Sequence, residues 1–91
     1  MIMNELEKHG LELRTKAKEL ALAALAKHPD GQKNGKGIKQ SEVFNLCGFG
    51  WGEKSKATNS NQQYWVVALL RQLEDEGLVE QIKESGPWRL K

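Results

Sequence analysis

Cysteine, histidine and long apolar runs are scarce in this sequence, and each scarcity excludes a class of protein. The single cysteine, Cys47, excludes an internal disulfide bond and fits a reducing compartment, so we expect a cytoplasmic protein. No run of about 18 apolar residues occurs, and the charged opening segment is unlike a secretory signal, so we expect no membrane contact. With only two histidines, His9 and His28, beside that cysteine, the chain has no zinc-ligand set at a usual spacing.

The chain is also short, which limits the chemistry it can carry. Its 91 residues are expected to form one domain over 1–91, with the core in about 11–91. A nucleotide-hydrolysing α/β domain needs several βαβ units of about 30 residues each. The glycine-rich stretch GFGWGEKS (48–55) matches neither the Walker A nor the dinucleotide-binding spacing. No nucleophile-and-base combination stands out, so we expect no catalysis, no cofactor and no small-molecule substrate.

Positive charge is unevenly distributed along the chain, although the net charge is only +2. Residues 31–61 contain five lysines and two glutamates, a surplus of three positive charges. Residues 62–91 contain four basic and five acidic side chains, which gives this part a net charge of −1. The surplus surrounds the glycine-rich stretch and is compatible with a polyanionic partner.

Hydrophobic periodicity predicts two helices in the first half of the chain. The first covers 11–28, with a possible earlier start near residue 5 through a capping box, and it ends at Pro29. The second is short. It follows Ser41 as N-cap, ends with Gly48 as the C′ residue, and turns its apolar side chains inward. Those inward side chains are predicted to be Val43, Phe44, Leu46 and Cys47.

A third helix and a β-hairpin are predicted in the second half. The helix covers 62–76, takes its N-cap from the Asn-Ser-Asn sequence at 59–61, and ends at Gly77. Its core stripe is predicted at the i, i+3, i+4, i+7 positions Val66, Leu69, Leu70 and Leu73. Alternation over 78–84, a Ser-Gly-Pro turn, and a returning strand with Trp88 and Leu90 on one face then predict the hairpin. This order is that of a winged helix-turn-helix.

The loop before the third helix is a candidate site for phosphate. Short polar side chains and two lysines precede a helix N-terminus, whose free N–H groups also favour anions. The alternative is that the polar residues only cap the helix and the lysines only add solubility. Composition alone favours neither interpretation over the other.

Residues 46–81 resemble the winged-helix (RQC) domain that follows the helicase core in RecQ-family DNA helicases. The resemblance covers about 40% of the chain. The matching residues are Gly48, Phe49, Gly50, Lys54, Ser55, Trp65, Arg71, Gln72, Leu73, Glu76, Gly77 and Leu78. A weaker resemblance, carried by the Gly-Pro-Trp-Arg-Leu strand, is to the N-terminal winged helices of Mrr-type restriction proteins.

The resemblance implies an α+β winged helix-turn-helix of three helices followed by a C-terminal β-hairpin wing. It also implies a module that binds duplex or forked DNA through phosphate contacts, either alone or within a larger DNA-processing enzyme. Candidate contacts are Lys54, Ser55, Lys56, Thr58, Asn59, Ser60, Asn61, Gln62, Gln63, Arg71 and Lys39, with Lys83 and Arg89 on the wing.

Two other functions stay open at this point. One is a protein–protein interaction module, which an exposed apolar patch including Trp51 would support. The other is a small transcriptional regulator that dimerises through the first helix. Of the remaining tryptophans, Trp65 is expected to pack rather than stack on a base, and Trp88 to anchor the hairpin against the third helix.

Overall fold

The structure, a computed structural model, describes residues 2–50, 52 and 62–91, with side chains from residue 4 onward. Within these residues the α-helices are α1 (Ile2–Lys27), α2 (Gln40–Leu46) and α3 (Tyr64–Asp75). The strands are β1 (Val79–Gln81) and β2 (Trp88–Leu90), and a short 3₁₀ turn covers Pro29–Gly31. The described residues therefore confirm the predicted α+β class, with three α-helices and an antiparallel hairpin.

Helix α1 is longer than the sequence predicted. It runs for 26 residues and passes through Gly10 without interruption, because the leucines, lysine and glutamates around that glycine are strong helix formers. Only its second half is packed, through the buried side chains of Ala17, Ala21 and Leu25. Every side chain from residue 4 to residue 16 is exposed. The first half of α1 thus extends away from the core.

The end of α1 is fixed by a tight turn. His28 is the N-cap of the 3₁₀ turn, and its Nδ1 accepts a hydrogen bond from the Asp30 N–H at 3.1 Å. Pro29 follows at the first turn position, where a missing N–H costs little. Gly31 is buried against α1, and a Cβ there would lie 2.5 Å from the Leu25 carbonyl oxygen. Only glycine allows this close return of the chain.

One hydrophobic core joins all of these elements. The α3 stripe is buried as predicted, and it meets the second half of α1, two side chains of α2, and one from each strand. The central cluster consists of Ala21, Leu25, Ile38, Val43, Phe44, Val66, Leu70, Leu73, Val79 and Trp88. Trp88 is among the largest fully buried side chains, so the hairpin is anchored in the core as expected.

Helix α2 begins earlier than predicted. Its N-cap is Lys39, which makes no side-chain capping hydrogen bond, so the prediction of Ser41 as N-cap is wrong. The chain enters α2 directly from Ile38, whose backbone is paired with Trp88, and this tertiary constraint sets the start. The prediction that Leu46 turns inward is also wrong, because this side chain is 51% exposed. Gly48 does end the helix with a φ of 73°.

The junction from α3 to β1 is a Schellman motif. The Leu78 N–H donates to the Leu73 carbonyl and the Gly77 N–H donates to the Glu74 carbonyl, both at 3.0 Å. Gly77 has a φ of 78°, which glycine adopts without steric cost. At the other end, α3 starts after Gln63, whose side chain makes no capping bond. The N-cap predicted within 59–61 lies outside the described residues.

The two-stranded hairpin is extended on one edge by a single paired residue, Ile38. Strands β1 and β2 pair antiparallel, with Val79 opposite Leu90 and Gln81 opposite Trp88. On the other edge of β2, Ile38 and Trp88 exchange two backbone hydrogen bonds of 2.7 and 2.8 Å. The Ile38 pairing connects the hairpin to the chain segment between α1 and α2, which matters for the candidate site.

Candidate nucleic-acid interface

The segment between α1 and α2 carries three exposed lysines, Lys33, Lys36 and Lys39. Its backbone is held in a defined shape, since the Gly37 N–H donates to the Asp30 carbonyl at 2.6 Å. Gly37 has a φ of 93°, and a Cβ at that position would lie 2.6 Å from the Ile82 side chain. This segment, residues 30–39, is here named the lysine loop. It lies directly against the hairpin.

Arg89 joins the lysine loop to β1. Its Nε donates to the Glu80 carboxylate at 2.6 Å, and a terminal nitrogen donates to the Gly35 carbonyl at 2.8 Å. Glu80 and Arg89 are cross-strand neighbours, so the hairpin register itself places this ion pair. The guanidinium predicted to contact DNA from the wing is therefore engaged within the chain. Its role is to position the lysine loop.

Lys83, the other predicted wing contact, lies in the hairpin turn and is exposed. The turn is closed by the Gly86 N–H, which donates to the Lys83 carbonyl at 2.7 Å. A second bond runs from the Gln81 side chain to the Gly86 carbonyl at 2.9 Å. The ammonium group of Lys83 thus sits on an ordered turn of the same hairpin that holds the lysine loop.

Arg71, Gln62 and Gln63 of the predicted site differ in their burial and in their contacts within the chain. The Arg71 guanidinium lies 4.9 Å from the centre of the Trp88 ring and pairs with Glu74 at 3.0 Å. This cation–π contact caps the buried tryptophan. Gln62 is only 6% exposed, and its amide donates to the Gly52 carbonyl at 2.9 Å, so it supports the chain internally. Gln63 is half-buried at the start of α3.

The rest of the predicted phosphate site lies outside the described residues. This applies to Lys54, Ser55, Lys56, Thr58, Asn59, Ser60 and Asn61, and also to Trp51. Their roles stay predictions. The structure exposes Lys33, Lys36 and Lys39 on the lysine loop and Lys83 on the hairpin turn, and of these only Lys39 and Lys83 were in the predicted contact set.

A groove between α1 and α3 was not predicted. Trp65, expected to pack, does contact Phe49 with ring centres 4.4 Å apart, yet it remains 38% exposed. Together with the exposed half of α1 these rings border an open apolar space of about 1000 Å³. The signal was present in the sequence, because Leu6 and Leu13 continue the helical stripe of α1 beyond its buried part.

Two further titratable groups, Cys47 and His28, lie next to α2. Burial raises the pKa of the Cys47 thiol, which keeps it protonated and unreactive near neutral pH. His28 Nε2 lies 3.1 Å from the Glu42 carboxylate at the surface. Among the described residues no group of three or more His, Cys, Asp or Glu side chains is arranged to hold a metal ion. No helix within them is long and apolar enough to cross a membrane.

Comparisons of this chain with protein-family models, with curated proteins and with solved structures gave no match.

Proposed function

We propose that the chain is a winged helix-turn-helix module that binds DNA mainly through the phosphate backbone. The order of elements supports the winged-helix assignment, because α1, α2 and α3 are followed by a hairpin that packs back into their core. In this assignment α3 is the recognition helix and β1–β2 is the wing. The resemblance of residues 46–81 to helicase-associated winged helices supports the same assignment.

One observation carries the proposal: three lysines are exposed on a loop fixed to the wing. Lys33, Lys36 and Lys39 share a segment that Arg89 and Ile38 hold against the hairpin, and Lys83 lies on the hairpin turn. Lysines on an ordered surface neutralise phosphates and release counterions, which favours DNA regardless of base sequence. Lys54 and Lys56 add to this charge in the segment leading to α3.

The described face of α3 supports backbone contact rather than base reading. The one basic side chain there, Arg71, is paired with Glu74 and stacked on Trp88. The C-terminal end of α3 carries three acidic residues, 74–76, of which Glu74 and Glu76 are paired with Arg71 and Lys18, so this end offers phosphate no surplus of positive charge. Tyr64 is exposed in the first turn of α3. Binding is therefore expected to depend weakly on sequence and strongly on salt.

The proposal is tested by measuring anisotropy of labelled duplex and forked DNA over a range of salt concentrations. The test variant is Lys33→Gln with Lys36→Gln, and the charge-matched control is Lys27→Gln with Lys91→Gln. Each lost phosphate contact lowers the slope of log affinity against log salt by about 0.9. We expect the slope of log affinity against log salt to be smaller by about two in the test variant, and to equal that of the wild type in the control. Equal behaviour of both variants would contradict the proposal.

A second test addresses the segment outside the described residues. Lys54→Ala with Lys56→Ala is expected to weaken binding to all DNA sequences alike, since phosphate contacts carry no sequence information. A loss confined to one sequence would instead favour the transcriptional-regulator function.

A protein partner is the second candidate function, and the groove between α1 and α3 specifically favours it. Contiguous exposed apolar surface of this kind marks interaction sites in monomeric proteins.

A further inference from the structure

The first half of α1 is a helix with an apolar stripe that its own chain leaves uncovered. Heptad positions a and d along α1 are filled by Leu6, Gly10, Leu13, Ala17 and Leu20. Ala17 is buried, but Leu13 is 73% exposed and Leu6 is 57% exposed. The stripe is thus buried in the core at Ala17 and exposed at the positions closer to the N-terminus.

The same stripe forms one wall of the groove between α1 and α3, here named the α1–α3 groove. The residues lining it are Gly10, Leu13, Arg14, Lys16, Ala17, Leu20, Phe49, Trp65, Ala68, Leu69, Arg71, Gln72 and Asp75. The α1 members occupy a, d, e and g positions, which are the ones that face a partner helix in a coiled coil. The opposite wall carries the Phe49 and Trp65 rings, which contact each other at an interplanar angle of 46°.

The groove and residues 4–12, the N-terminal part of α1, have opposite charges. The groove lining contains three basic side chains and one acidic side chain, a surplus of two positive charges. Residues 4–12 contain three glutamates and one lysine, a surplus of two negative charges. Because both surfaces belong to the same chain, the complementary partner of each is a second copy.

We propose that two copies associate through antiparallel α1 helices, each laying residues 4–13 into the α1–α3 groove of the other. The register that pairs a with d positions sets Leu6 against Ala17 and Leu13 against Gly10, so each of these layers joins a large and a small side chain. It also sets Glu7 at the e position opposite Arg14 of the other copy, twice by symmetry. Gly10 has no other group of its own chain within 4 Å of a would-be Cβ, which leaves room for the incoming leucine.

The dimensions fit this occupant. A helix of ten residues is about 15 Å long and at least 10 Å across, which corresponds to roughly 1200 Å³. The groove offers about 1000 Å³ and is open along one side. An open groove of helix size, lined by apolar and charged side chains, is a surface that accepts an amphipathic helix.

The experiment is sedimentation velocity of the full chain over a wide concentration range, with three variants. The wild type is expected to approach twice the monomer mass of 10.3 kDa as concentration rises. Leu13→Gln removes from each copy a leucine that the dimer would bury and is expected to weaken the dimer about a hundredfold. Leu11→Gln, at an exposed site on α1 but off the stripe, is the matched control and is expected to leave the dissociation constant within about threefold.

A charge exchange tests the antiparallel register directly. Glu7→Arg alone places like charges opposite Arg14 twice and is expected to weaken the dimer about tenfold or more. Glu7→Arg combined with Arg14→Glu restores both pairs and is expected to return the constant to within about threefold of the wild type. Circular dichroism at a concentration where all variants are monomeric checks that α1 remains helical.

Three outcomes would overturn the proposal. The first is a wild type that stays at the monomer mass throughout, which would leave the groove to a different protein. The second is a dimer that Leu13→Gln leaves intact, and the third is a combined charge exchange that fails to restore the dimer. None of these outcomes depends on DNA, so the proposed DNA binding is tested separately.

Discussion

Arg89 provides the sharpest test of how the lysine loop is held. Its guanidinium bonds the Glu80 carboxylate at 2.6 Å and the Gly35 carbonyl at 2.8 Å, while its side chain is 25% exposed. A partly exposed ion pair contributes up to about 1 kcal/mol, and a charge-assisted bond to a carbonyl about 1 kcal/mol more. Arg89→Ala is therefore expected to lower the free energy of unfolding by about 2 kcal/mol.

Urea denaturation measures this change. The slope for a small protein is about 1 kcal/mol per molar urea at the lower end of its range, so the midpoint should fall by up to about 2 M. Glu80→Gln is the partial control, because it removes the ion pair and keeps the bond to Gly35. It is expected to cost about half as much. Amide exchange adds a local readout, since the Gly37 N–H bonded to Asp30 should exchange faster in Arg89→Ala than in Glu80→Gln.

The reasoning would be refuted by an Arg89→Ala variant within about 0.5 kcal/mol of the wild type, the range of an ordinary surface substitution. It would equally be refuted if Arg89→Ala and Glu80→Gln had the same stability and the same Gly37 exchange rate. Either result would mean that the guanidinium does not fix the loop, and that the lysines are carried on a segment shaped by its own backbone.

Three further predictions concern stability. Gly31→Ala should destabilise the fold by about 3 kcal/mol, because its Cβ would lie 2.5 Å from a backbone oxygen, and urea denaturation should show this. Val43→Ala should cost about 2 kcal/mol in the same assay whereas Leu46→Ala should cost under 1, since only Val43 is buried. Burial raises the pKa of Cys47, so the unfolded thiol ionises first; between pH 7 and 10 the wild type should lose more stability than Cys47→Ala, and equal losses would contradict this.

The sequence predicted most of the described architecture because strong periodicity reports burial. The α3 stripe and the Gly77 terminus follow from residue type and spacing alone, and the structure has both. Gly48 likewise ends α2 as predicted. These are local features, and their physical causes lie within a few residues of one another.

The features that the sequence did not predict have causes far away along the chain. Ser41 is a good N-cap, but α2 starts at Gln40 because Ile38 is paired with Trp88. The sequence indicated a DNA contact for Arg89, which stays a prediction, but it did not indicate the bond of Arg89 to the carbonyl of Gly35, 54 residues earlier. Predicting the α1–α3 groove would have required knowing that α1 extends beyond the core of its own chain. These contacts join residues that are far apart in the sequence, so no local sequence pattern indicates them.

The bridge between Ile38 and Trp88 also has a kinetic consequence. It closes a loop of about 50 residues, which is slow and entropically costly compared with forming a helix turn. We expect the helices to form early and the docking of Ile38 on β2 to be late in folding. Ile38→Ala should then accelerate unfolding far more than it slows refolding, and the lysine loop should be among the last surfaces to acquire its native shape.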